Sequence, residues 1–238
     1  MKTMLFSVFL TVTGLLATLS NSSPVPATTW QGENVGMDLD AYDPENFMMS
    51  NWSNGGTFGC RWSPNNIHFE DGQMRLTIDR DSSGYTGGEY STKKSFGYGM
   101  YLVSMKPIKN PGVVSSFFTY SEDYDEIDIE FLGYDTTKVQ FNYFNKGVGN
   151  NNAFLYDLGF DASESYHTYG FYWDQNSITW YVDDKPVYTA SGNMPNSKSK
   201  IIFNVWPGKG VDSWLKPYDG ATPLHAYYDW ASYDAPLN

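Results

Sequence analysis

The stretch DEIDIEF, Asp125–Phe131, limits what this chain can fold into more than any other. Glu126, Asp128 and Glu130 alternate with Ile127, Ile129 and Phe131. On an extended strand, side chains two apart share a face. The pattern therefore demands a strand with three carboxylates on one side and an apolar surface on the other. A helix would scatter both sets around its circumference. The same period of two recurs in GQMRLTIDR, which sets Met74, Leu76 and Ile78 against Arg75, Thr77 and Asp79. From Phe47 onward come further runs: GYGMYLVSMKPI, GVVSSFFTY, KVQFNYF, YHTYGFYW, SITWYVDD, PVYTA, KIIFNVW and HAYYDWASY. Each is rich in β-branched and aromatic residues and bounded by Gly, Asn, Asp or Pro, as strands are. ITWYVDDKPVYTA reads as a hairpin turning at Asp183-Asp184-Lys185. No segment keeps a 3.6-residue period over three turns, and no long repeat is present. The expectation is an all-β fold, a two-sheet antiparallel β-sandwich.

A chain of 238 residues can bury an adequate core without staples. Its 22 glycines and 18% aromatic content suit many short strands joined by tight turns. The formal net charge of -12 argues against nucleic acid and anionic membrane as partners and is compatible with a neutral one. The single cysteine, Cys60, rules out an intramolecular disulfide. It reads as a small buried hydrophobe, because His68, His167 and His225 form no arrangement that would activate it. Residues 1–20 have a charged start and an apolar run ending in small residues, the pattern of a secretory signal peptide. Cleavage is expected between 20 and 27, with a Ser/Pro/Thr-rich linker over 21–29 and the folded domain over 30–238. The expected location is extracellular. N-x-S sequons stand at Asn21 and Asn51.

Three like charges along one strand repel, and burial would raise their pKa values. A sheet gains nothing from that, so a chemical role is the better account. Retaining glycoside hydrolysis needs a nucleophilic carboxylate and an acid/base carboxyl roughly 5–5.5 Å apart. The Cα atoms of Glu126 and Glu130 would be about 13 Å apart on an ideal strand. Long side chains leaning inward over a twisted strand close much of that gap, and Asp128 between them can modulate both. Calcium binding is the second reading, although a straight strand presents its oxygens in a line whereas calcium loops curl around the ion. A charged solvent face is the third. Trp52, Trp62, Trp206 and Trp214 lie in loop-like contexts such as NWSNGG, VWPGKG and DSWLKPYDG. They read as platforms for the apolar faces of sugar rings, or as core.

DEIDIEFLG followed by DTTKVQFNY resembles the bacterial and rumen-fungal licheninases of glycoside hydrolase family 16. The likeness runs from about Phe47 to Tyr233 through SNGGTFGCRW, FGYGMY, MKPIKNPGVVSSFFTY, LGFDASESYHTYGF and YYDWASY. It implies a β-jelly roll with a concave cleft, and retaining endo-hydrolysis of mixed-linkage β-1,3-1,4-glucan by a monomer that needs no cofactor for catalysis. By position it implies Glu126 as nucleophile, Glu130 as acid/base and Asp128 as their assistant. Substrate-cleft positions match at Asn54, Phe58, Glu89, Phe118, Tyr120, Asn142, Asn204, Trp206 and Trp214. Asp229 matches a ligand of a structural calcium on the face away from the cleft. The uninterrupted E-x-D-x-E is the licheninase form. Laminarinases of the family usually insert one residue, whereas xyloglucan-active relatives share the uninterrupted form. The alternatives are thus a β-1,3-glucanase, a xyloglucan hydrolase or transglycosylase, or a glucan-binding relative without turnover. Three departures stand out: Ser91 replaces an arginine of the family, the loop SEDYDEID is short and lacks its tryptophan, and Gly87 stands where many relatives pair a second cysteine with the one at Cys60.

Overall fold

The computed structural model describes residues 34–149 and 152–236. The expected signal peptide, cleavage window and linker, and the Asn21 sequon, lie outside the described residues. The first half contributes β1 (Asn34–Asp38), β2 (Phe47–Met49), β3 (Arg61–Trp62), β4 (Ile67–Glu70), β5 (Gln73–Asp81), β6 (Gly84–Gly87), β7 (Glu89–Thr92), β8 (Gly99–Lys106) and β9 (Val113–Tyr120). The second half contributes β10 (Glu126–Leu132), β11 (Lys138–Phe144), β12 (Phe154–Asp157), β13 (His167–Trp173), β14 (Ser177–Val182), β15 (Lys185–Ser191), β16 (Lys200–Pro207) and β17 (Leu224–Asp234). A single turn of helix, α1 (Asp212–Leu215), sits between the last two strands.

The strands make two sheets. The front sheet runs β12-β11-β10-β9-β16-β7-β2, with β10 near its middle. The back sheet runs β15-β14-β13-β8-β17-β5-β6-β3, with β1 on β17 and β4 on β5. The alternation in the sequence explains the layering. Ile127, Ile129 and Phe131 are buried in one continuous core with Phe117, Phe141 and Phe203 of the front sheet and Tyr101, Phe171 and Trp180 of the back sheet. Each large side chain so buried contributes about 1.5–3 kcal/mol before entropy is set against it.

Three local expectations change. A strand, β1, precedes Phe47 and pairs with β17. The sandwich is not wholly antiparallel, because β3 and β6 pair in parallel through Arg61 and Trp62. The hairpin turns at Asp183-Asp184 alone, since Lys185 already pairs with Val182. Both turn residues have positive φ, 46° and 66°, as a two-residue turn matched to strand twist requires. No helix among the described residues is long and apolar enough to cross a membrane.

A second, smaller core of Cys60, Trp62, Val114, Leu132, Trp206 and Leu215 lies apart from the first. Cys60 is buried as expected, and burial pushes its thiol up to about 12.

Candidate active site

Register builds the site in rows across the front sheet. Glu126 lies between Tyr120 on β9 and Phe144 on β11, and Asp128 between Phe118 and Asn142. Glu130 lies between Ser116 and Gln140, and the row continues through Asn204 on β16 to Glu89 on β7. All three carboxylates face a cleft of about 830 Å³ on the outer side of this sheet. The back sheet pins the floor from behind. Trp180 donates its indole N–H to the Asp128 carbonyl at 3.1 Å, and Tyr228 donates its hydroxyl to the Ser116 carbonyl at 3.0 Å.

Electrostatics separate the three groups. Burial first, and then the Glu126 charge, push Glu130 up to about 8, against the lowering effect of a hydrogen bond from Gln140. Burial also pushes Glu126 up to about 7, although its hydrogen bond with Asp128 pulls the other way. Asp128 is only 4% exposed. Burial and the two flanking charges raise it well above the ordinary carboxylate range. A protonated Asp128 donating to Glu126 favours the ionised form of Glu126. Near neutral pH the arrangement therefore favours an ionised Glu126 beside a protonated Asp128 and offers Glu130 as a carboxylic acid on the same floor, the kind of split that acid/base-plus-nucleophile chemistry uses.

All nine expected cleft residues line this cavity: Asn54, Phe58, Glu89, Phe118, Tyr120, Asn142, Asn204, Trp206 and Trp214. Glu89 is buried, accepts from Ser50 Oγ at 2.7 Å and from Asn204 Nδ2 at 3.2 Å, and burial raises its pKa. Among the tryptophans, Trp52 stands 47% exposed at the rim, while Trp206 is buried and tilted against Trp214 at 6.0 Å. Trp62 is not a platform. It is 1% exposed in the second core, and its indole N–H reaches Asn54 Oδ1 at 3.1 Å, where Trp52 donates as well. It supports the wall from behind. Gln140, Thr57, Phe144, Ala153 and Ile202 also line the cleft and had no signal in the sequence apart from their neighbours. Gln140 and Phe144 follow from the period of two on KVQFNYF once Asn142 is placed.

Residues 54–232 match Glycosyl hydrolases family 16. The chain belongs to this family. A beta-glucanase of Acetivibrio thermocellus is 52% identical over 200 residues, covering 81% of this chain and 60% of that relative. The chain thus spans well under two thirds of that protein's length. A beta-glucanase of Bacillus amyloliquefaciens is 46% identical over 231 residues, covering 93% of this chain and 95% of the relative. Among solved structures, a prokaryotic beta-1,3-1,4-glucanase (lichenase) from a mouse hindgut metagenome superposes with a TM-score of 0.84 at 50% identity, covering 87% of this chain and all of that one. The jelly-roll sandwich is the fold of these family 16 structures.

Within the family frame the departures acquire positions. Ser91 is buried on β7, paired with Ile202 and Met48, and does not line the cleft. Tyr124, in the short loop before β10, is 62% exposed and packs edge-on to Tyr120. An ideal Cβ on Gly87 would lie 2.9 Å from Cys60 Sγ and 2.5 Å from the Val205 carbonyl oxygen. Gly87 thus lets β6 and β16 approach closely, and Cys60 remains a lone thiol. Asp229 lies on the back sheet, away from the cleft. It is the extra residue of a bulge between Tyr228 and Trp230, a device that re-aims a side chain. Its pKa is raised by burial and lowered by a hydrogen bond with Ser104. Among the described residues no three His, Cys, Asp or Glu side chains gather to hold a metal. Calcium takes six to eight oxygens, so an ion at Asp229 would draw the rest from backbone carbonyls and water.

Proposed function

We propose that this chain is a secreted, retaining endo-glucanase that cleaves mixed-linkage β-1,3-1,4-glucan. The observation that carries the reading is the triplet on the cleft floor: three carboxyl groups on one face of β10, all raised in pKa by burial. Glu130 protonates the glycosidic oxygen while the Glu126 carboxylate attacks the anomeric carbon, and the leaving chain departs. Glu130, now ionised, takes a proton from water, which hydrolyses the glycosyl-enzyme and frees Glu126. Asp128 holds Glu126 by its hydrogen bond. Trp214, Trp206, Phe58 and Tyr120 offer rings to the sugar faces, while Asn54, Asn142, Glu89 and Asn204 offer polar groups to the hydroxyls. The names of the relatives, beta-glucanase and lichenase, support the same substrate class.

The reading is tested by reducing-sugar release from barley β-glucan, with laminarin, carboxymethyl-cellulose and xyloglucan in parallel, and by NMR of the first-formed anomer. Rapid release from barley β-glucan with β-anomer product is expected. Activity confined to another glucan, or an α-anomer, would overturn it. The reading extends to a structural calcium at Asp229, which would appear as a fall in Tm on adding EDTA, reversed by calcium.

A further inference from the structure

We propose that Trp214 and Gln140 form a relay that orients Glu130 and sets which of its protonation states is favoured, with Gln140 as a positioning residue. The proposal rests on the reading of Glu130 as the acid/base.

Gln140 Nε2 donates to Glu130 Oε2 at 2.9 Å. Trp214 Nε1 donates to Gln140 Oε1 at 3.1 Å. A glutamine amide can be placed either way round, and only its partners decide. The indole N–H is a donor and nothing else, so it must meet the amide oxygen. The amide NH2 then has to face Glu130. An NH2 facing a carboxyl stabilises its ionised form, whereas an amide oxygen there would accept from the protonated form and stabilise that instead. Trp214 therefore selects the sign of Gln140's effect.

The surroundings leave this effect little competition. On β10 itself Glu126 and Asp128 face Glu130 with negative charge or none. Its neighbours across the ladder are uncharged, Ser116 on β9 and Gln140 on β11. Further along its row come Asn204 and then the buried acid Glu89. Lys138, the cation on the same face of β11, is paired with Asp135. Burial and the Glu126 charge both favour the proton on Glu130, and Gln140 opposes them. Turnover needs both forms of Glu130, protonated to cleave and ionised to activate water, so a group that offsets burial keeps the second step accessible.

Trp214 is itself held. Leu215, next to it in α1, is 1% exposed in the second core with Trp62 and Trp206. The small core thus fixes the indole, the indole fixes the amide, and the amide holds the carboxyl.

The test is a carboxyl 13C NMR titration of the intact chain with labelled glutamate, the Glu130 signal assigned by its loss in Glu130→Gln. Gln140→Met and Trp214→Phe should each raise the Glu130 midpoint by about one pH unit. The double variant should move it no further than the larger single change, because the two act in series. The alkaline limb of the kcat profile on barley β-glucan should move with it. A Glu130 midpoint unmoved by Trp214→Phe would overturn the relay, even if KM rose through lost ring contacts. The titration needs no substrate. If the wild-type chain failed to hydrolyse barley β-glucan, the functional reading would fall and the midpoint would still decide the relay.

Discussion

Asp125 accepts the backbone N–H of Lys146 on its Oδ1 at 2.8 Å. Its other oxygen takes the N–H groups of Asn196 and Ser197, each at 2.8 Å. The side chain is wholly buried. One carboxylate at the entry to β10 thus ties down two loops from distant parts of the chain, directly beside Glu126. Asp125→Ala would take from three N–H donors, those of Lys146, Asn196 and Ser197, the buried carboxylate they share. We expect a loss of about 3 kcal/mol, or a fall in Tm of about 10 °C for a domain of this size. Asp125→Asn should recover part of it, since one oxygen still accepts. A Tm within about 2 °C of wild type for the alanine variant, measured by calorimetry, would contradict this role.

The two glutamates should fail in different ways when removed. Glu126→Ala should lower kcat on barley β-glucan by about 10³-fold or more with folding preserved. Added azide can enter the vacated space and give an α-glycosyl azide. Glu130→Ala should also be slow on glucan, yet much less impaired on an aryl glycoside whose leaving group needs no proton. There azide should intercept the glycosyl-enzyme and give the β-azide. The wild-type kcat/KM should lose activity below about pH 7 as Glu126 is protonated, and above about pH 8 as Glu130 ionises. Product azides of the opposite anomeric configuration would exchange the two roles.

Much of this site was legible in the sequence because strands repeat every two residues. DEIDIEF could place its carboxylates on one face with no knowledge of the partners. What could not be read was anything that depends on register or on distant loops. Gln140 meets Glu130 because β10 and β11 pair at that position; the period of two in KVQFNYF gives its face but not its partner. Asp125 finds its acceptor role through N–H groups 71 and 72 residues later. Trp62 could be read as a sugar platform or as core because its segment is rich in turn formers, and packing against Phe58 and burial in the second core decide for core. β1 was missed because NVGMD buries one side chain of five, too little to make a pattern.

The raised carboxyls make a statement about stability as well as rate. Glu130 holds its proton to about pH 8 when folded, while an unfolded glutamate releases it near 4.3. Between those values the folded chain binds more protons than the unfolded one, so stability falls as pH rises, at up to ~1.4 kcal/mol per unit for this group. Below about pH 4 both states are protonated and the group contributes nothing. Above about pH 8 both are ionised and the loss is complete. Glu130→Gln cannot ionise and should escape the loss. Its Tm should match wild type near pH 4.5 and exceed it by about 10 °C or more at pH 8.5. Parallel Tm curves across that range would show that Glu130 is not held protonated.

Gly112 offers a route to the site from outside it. It has φ of 79°, and a Cβ there would lie 2.3 Å from Tyr218 Cα. Its N–H donates to the Leu215 carbonyl at 2.8 Å, and its own carbonyl accepts from Gly208 N–H at 2.8 Å. Gly112 therefore clamps both ends of the segment that carries α1 and Trp214. Gly112→Ala adds a methyl group against backbone that cannot rotate aside and forces an unfavourable φ, so we expect a loss of about 2 kcal/mol or more. Relief of the clash should move the Gly208–Tyr218 segment and with it the Trp214 ring. KM for β-glucan should then rise as a binding platform is displaced, and the alkaline limb of the kcat profile should move upward as Gln140 loses its indole partner. Calorimetry and steady-state kinetics on the same preparation check both halves. A destabilised variant with unchanged KM would mean that Trp214 keeps its place without the Gly112 clamp.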